Sequence, residues 1–411
     1  VTLQASERAS LEERPTDNIE AYQLYIRAKA TGCTTGECDA LIVSQLDRAV
    51  ALDPKFLPAW YALSREHSYA YHNTIDRTEA RLARAKAALD RMEAIDANHP
   101  YTRLARGFYY YYGFRDYDRA LTEFQAAADA RPNDADARFA VSLIYRRRAQ
   151  YDEALRNMQE AIALDPKNAQ FLWDTADTYD ATRQPELAAK FYEQAWAIAK
   201  DPSMIVDAAA SVLRYQGDVA AAQRLLERAP NPEASECLIG WYNLYLYSRK
   251  YDKGLAKLHA SPTRYPAMQA WIGCMIGMME SLRGSKNAKP ALEDAVRQIE
   301  VQLHDAPGSY GHHGALAMVY AFLGRSDDAI REAKMGVDLT GKDEFVAPQM
   351  LEVLAMVYAR TGHADDALDL VEQLLTTSYD DPLTVETLRL NPMWDPLRDN
   401  PKFKEILKRS S

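Results

Sequence analysis

Alanine recurs at a step of 34 residues at Ala120, Ala154, Ala188 and Ala222, and again at Ala127, Ala161, Ala195 and Ala229. Tyr111, Tyr145 and Tyr179 keep the same step. That length suits one helix–turn–helix hairpin, and self-similarity at such a period is how stacked helical units show in a sequence. Each unit packs only on its neighbours, so a chain of 411 residues escapes the limit on a single core. The recurring residues are packing residues, which weighs against a catalytic reading.

The array is followed through the small residue that opens each second helix: Ile42, Ala85, Ala120, Ala154, Ala188, Ala222, Gly254, Ala291, Ala329 and Ala367. A bulky partner comes one helical turn later, at Leu46, Leu89, Phe124, Met158, Tyr192, Leu226 and Leu258. The small residue admits a close helix approach and the bulky one fills the space beside it. Asp118, Asp152 and Asp252, each after a tyrosine, are expected to cap second helices. Gly324 and Gly362 suit left-handed helix ends. Pro54, Pro132 and Pro166 end second helices. Met268 to Leu282 and Ala288 to His304 form the least regular pair. The pattern predicts an all-α, right-handed superhelical solenoid of about ten hairpins over residues 18–378. Residues 1–17 read as a linker or lead-in helix, and 379–411 as a capping segment carrying Trp394 and Phe403.

Trp60, Leu63 and Ser64 in one first helix, and Ala120, Phe124, Ala127 and Pro132 in a second, resemble the tetratricopeptide repeat family. Tyr145, Ala154, Met158, Ala161 and Pro166 match the following unit. Pro15 to Tyr22, and Pro392 to Arg398 with Asn400 to Phe403, look like the borders of repeat regions in bacterial envelope-associated proteins, where a cyclase, winged-helix or TolB-like portion often accompanies them. The resemblance implies a binding scaffold in a bacterial envelope setting. It brings no activity, because those accompanying portions do not appear here.

Chemical motifs are scarce. The eight histidines form no His-Glu-x-x-His pattern, and His312-His313 reads as a surface pair. Gly308–Gly311 lacks the lysine and hydroxyl of a phosphate loop, and no nucleophile elbow occurs. No enzyme, cofactor or metal is expected. A formal net charge of −10 disfavours nucleic acid as a partner. No apolar run is long enough to span a membrane. The chain begins at Val1, and we expect a mature or truncated product, periplasmic or otherwise extracytoplasmic, with an anchoring segment missing. Cys33 and Cys38 flank a Gly/Thr-rich insertion. A disulfide there would staple a loop in an oxidising compartment; two unrelated thiols or a metal site are the rival readings. Cys237 and Cys274 either face each other or stand as buried free thiols. Asp174, Asp177 and Asp180 form either a groove face for a basic partner or a solvated stripe.

In such stacks first helices line the concave side. The inward positions then become Tyr61, Arg65 and Tyr69; Tyr109 and Tyr112; Phe139, Leu143 and Arg146; Trp173 and Asp177; Tyr215; Asn243, Leu246 and Tyr247; Met318, Phe322 and Met356. Tyrosine and tryptophan are common interface anchors. The expected function is a non-enzymatic scaffold whose aromatic groove binds a peptide or protein partner. The alternative is a carrier for an apolar, lipid-like small molecule in an envelope transport system.

Overall fold

The computed structural model describes residues 15–31, 36–72, 76–261 and 266–409. Cys33 lies outside these residues. The chain divides into two compact units, Val1–Arg146 with Asp152–Pro166, and Arg147–Tyr151 with Lys167–Ser411. Among the described residues there is no strand.

The first unit holds α1 (Ile19–Ala30), α2 (Gly36–Leu52), α3 (Leu57–His72), α4 (Glu79–Asp96), α5 (Pro100–Phe114) and α6 (Tyr117–Ala130). It also holds most of α7 (Ala135–Arg147) and α8 (Tyr151–Leu164). The second unit continues with α9 (Ala169–Ala181), α10 (Pro185–Ala199), α11 (Pro202–Gln216), α12 (Val219–Leu226), α13 (Leu238–Tyr247) and α14 (Tyr251–Ala260). Next come α15 (Pro266–Leu282), α16 (Ala288–Asp305), α17 (Tyr310–Phe322), α18 (Ser326–Thr340), α19 (Ala347–Arg360) and α20 (Ala364–Leu374). Paired in order, α1 to α20 give the hairpins of an all-α repeat solenoid. Three short pieces close the chain: α21 (Val385–Leu390), a 3-10 turn at Pro392–Leu397, and α22 (Pro401–Ile406).

The small-against-large pattern packs as its spacing demands. Ala85, Ala120, Ala154, Ala188, Ala222, Ala329 and Ala367 are fully buried, and so are Phe124, Met158 and Leu226. Gly107 on α5 is the tightest contact of this kind. A methyl group there would lie 2.3 Å from the Phe124 ring of α6. The α15–α16 pair departs from the pattern. Ala291 is half-buried, and Leu292 and Ala295 take the interior.

Helix ends follow local chemistry. Asn18 opens α1, its side chain accepting from the Ala21 amide at 3.0 Å. At α6 the cap is Asp116, which accepts from Arg119, and Asp118 instead sits in the first turn beside the positive end of the dipole. Asp152 and Asp252 hold the same first-turn position. After the first helices α5, α7, α9, α11, α13, α15, α17 and α19 the chain takes one left-handed residue. These are Arg115, Ala149, Arg183, Gly217, Arg249, Gly284, Gly324 and Gly362. The first four keep the 34-residue step, so the turn geometry repeats even where glycine does not.

Residues 379–406 cover the last hairpin. Tyr379, Leu383, Leu388, Trp394, Leu397, Phe403 and Ile406 pack with Leu368, Val371 and Leu374. Trp394 and Phe403 are fully buried. Among the described residues no helix is long and apolar enough to cross a membrane.

Candidate functional site

In the first unit, α3 and α5 place their aromatic residues side by side. Tyr61 lies with Tyr101 (ring centroids 5.5 Å apart) and with Phe108 (6.4 Å). Phe108 stacks on Tyr112 at 5.3 Å, and Tyr112 meets Tyr69 edge-on at 5.9 Å. His72 joins at 4.9 Å from Tyr112. The exposed Arg65 holds its guanidinium 5.4 Å from the Phe108 ring. It has no ion-pair or hydrogen-bond partner among the described residues. Thus four sequence-derived positions, Tyr61, Arg65, Tyr69 and Tyr112, share one face.

Three members of that face escaped the sequence reading: Tyr101, Phe108 and His72. Tyr101, Phe108 and Tyr112 lie on one side of α5 by helical spacing, the one signal that could have found them. Phe108 also reaches Phe124, edge to face at 4.8 Å, which ties the face to the core. Tyr109 turns elsewhere, toward Phe114 at 5.2 Å and Tyr110 at 6.2 Å. Phe139, Leu143 and Arg146 on α7 are buried.

Electrostatics at this face move several groups away from their ordinary ranges. Desolvation raises the Tyr61 hydroxyl well above its ordinary range. Desolvation opposes the Arg65 charge, but Tyr61, Tyr112, Asp136 and Glu66 together keep it firmly protonated. Desolvation and the neighbouring Asp39 push Glu66 up to about 7. Asp39 itself forms a buried pair with Arg81. Burial, with Arg81 and Arg84 nearby, lowers His67 to about 4.

The second unit uses its sequence-derived positions differently. Trp173 donates its indole N–H to Asp207 at 2.8 Å, and the Tyr192 hydroxyl donates to Asp177 at 2.8 Å. The Tyr215 hydroxyl donates to the Asp180 carbonyl, and the Asp180 carboxylate takes Ser211 and Arg214. Tyr247 is half-buried against both neighbouring apolar clusters. Asn243 is half-buried on α13. Met318 is buried, and Phe322 lies under the Arg360 guanidinium at 3.6 Å. His312 is buried and contacts Ser309, while His313 bonds Glu332 at 2.7 Å. Cys237 and Cys274 are free and buried; Cys38 is disulfide-bonded. Among the described residues no cluster of His, Cys, Asp and Glu could hold a metal ion.

A family model for the tetratricopeptide repeat matches residues 145–212. This stretch is tetratricopeptide repeat. Its ladder keeps the family's step, since Trp173 and Asp207, and Asp180 and Arg214, are bonded partners one repeat apart. Among solved structures the chain is similar to TTC0263, a thermophilic tetratricopeptide-repeat protein of Thermus thermophilus. Identity is 18% and TM-score 0.39, with 47% of this chain and 97% of that one covered. It is similar to YrrB, a tetratricopeptide-repeat protein with an unusual peptide-binding site, at 17% identity and TM-score 0.28, covering 49% and 95%. Human IFIT1, solved as a dimer with PPP-AAAA, gives 17% identity and TM-score 0.44, covering 91% and 95%. None of the curated proteins matches the chain.

Proposed function

We propose that this tetratricopeptide-repeat chain is a non-enzymatic scaffold that binds an extended peptide or protein segment on the aromatic face of α3 and α5. The observation that carries the reading is the unpaired, exposed Arg65 set over Phe108 between Tyr61 and Tyr112. Aromatic rings offer contact area at low entropy cost, and a guanidinium held on a ring is ready for a partner's polar groups. Phe108 is anchored on Phe124, which ties this part of the face to the core. A preorganised face loses little entropy on binding.

An extracytoplasmic bacterial setting belongs to the same reading. Its support is the disulfide-bonded Cys38, since such bonds persist mainly outside reducing compartments.

An immobilised random-peptide array tests the binding reading. The wild-type protein should retain a defined set of peptides, and Tyr69→Ala with Tyr112→Ala should lose that set while keeping the helical circular-dichroism signal. An array that retains no peptide, or a variant that retains the same set as wild type, rejects the reading.

A further inference from the structure

Phe322 and Arg360 each stand two residues before a left-handed glycine, Gly324 and Gly362, at the ends of the first helices α17 and α19. The repeat therefore sets them side by side on successive first helices. The Arg360 guanidinium lies 3.6 Å from the Phe322 ring centroid. The side chain is half-buried, and its Nε is shut off from solvent without a hydrogen bond. Among the described residues the Arg360 side chain makes no ion pair and no hydrogen bond. An arginine keeps its charge at neutral pH, so this is a partly desolvated cation with no anion beside it. Burial lowers it to about 10, and Asp395 is the one charged group that opposes the shift. Asp395 is already taken by Arg249, two-pronged at 2.7 Å, and by Arg398 at 3.2 Å.

Other guanidiniums of the second unit that lie over rings have a carboxylate beside them. Arg147 lies 5.3 Å from the Phe345 ring and pairs with Asp343 at 3.3 Å. Arg325 lies 4.0 Å from the Tyr320 ring and pairs with Asp328 at 2.6 Å. Arg398 lies 6.0 Å from the Phe403 ring and pairs with Asp395 at 3.2 Å. Each joins a ring, a guanidinium and a carboxylate. Arg360 sits closer to its ring than these three do, and it lacks the carboxylate. The ring holds the planar guanidinium in one orientation, which lowers the entropy lost when its N–H groups take up an acceptor.

We infer that Arg360 on Phe322 is a carboxylate-recognition point, where a ligand supplies the carboxylate that the chain itself does not. The group taken is an aspartate or glutamate side chain or a chain-terminal carboxylate, to which the guanidinium fork donates alike. Its Nε stays buried, so the Nη end makes the contact. There the carboxylate exchanges water for charge-assisted hydrogen bonds in a half-desolvated corner, where such bonds are stronger than in bulk solvent. The point belongs to the second unit and shares no residue with the face of α3 and α5. Either reading fails or stands without the other.

The side-chain Nε–H nuclear magnetic resonance signal of Arg360, identified by its loss in Arg360→Lys, reports on this point in the full chain. N-acetylaspartic acid α-amide and N-acetylalanine present the two carboxylate sources. N-acetylalanine amide, and sodium chloride at equal ionic strength, are the controls. At least one carboxylate should move the signal saturably, with a dissociation constant at least ~10-fold below that of either control, and the tighter of the two names the source. Phe322→Leu should weaken that binding about 3-fold by removing the ring behind the guanidinium. A signal that does not move, or moves equally with carboxylates and controls, overturns the inference. A folded Phe322→Leu that binds as tightly as wild type overturns it as well.

Discussion

Gly107 and Phe124 hold the smallest version of the interlock on which this molecule is built. A Cβ at Gly107 would sit 2.3 Å from the Phe124 ring, so Gly107→Ala must push that ring or the α5 backbone aside. Overpacking of this kind costs ~1–3 kcal/mol. The urea midpoint of Gly107→Ala should fall accordingly, and an unchanged midpoint would mean the two helices yield without cost. Alternation of this sort was legible because bulky and small residues recur at one step. The face built on Phe108 was harder to read. Four tyrosines in a row, Tyr109 to Tyr112, satisfy every helical register at once. Neighbouring helices decide which ring turns where: Tyr111 goes to the core, Tyr112 to the face, and Tyr109 toward Phe114.

Helices and their turns carried a second, partly hidden period. Gly217, Gly324 and Gly362 announce left-handed helix ends, as glycine should. Arg115, Ala149 and Arg183 adopt the same conformation unannounced, because propensity is only a weak guide where tertiary contacts decide. Arg183 and Arg249 have evident roles there. From their turns they reach the carbonyls of Leu374 and Thr377 and the carboxylate of Asp395. The insertion between α1 and α2 belongs to this level too. Cys38 is disulfide-bonded while Cys237 and Cys274 are free. Pairing of Cys33 with Cys38 is our proposal, and thiol titration of the denatured, unreduced chain should return two free thiols. Four would contradict the staple, and the oxidising compartment with it.

Over the full length of the chain, the repeat period made the all-α hairpin order legible almost from end to end. It did not reveal the return contacts of residues 374–386. A return contact between Tyr151 and Ser378, or between Arg214 and Asp381, leaves no periodic trace in a sequence. The consequence for the sequence-derived positions is large. Trp173, Asp177 and Tyr215 serve an internal network, whereas Arg65 stands exposed over its aromatic support without a partner among the described residues. We therefore propose the face of α3 and α5 as the recognition surface. The direct test is the dissociation constant of the strongest array peptide, measured by fluorescence polarisation for three proteins. Arg65→Ala with Tyr112→Ala should bind at least ~10-fold more weakly than wild type, a loss of about 1.4 kcal/mol, and Tyr215→Ala should bind as wild type does. The reverse order of effects would contradict the account.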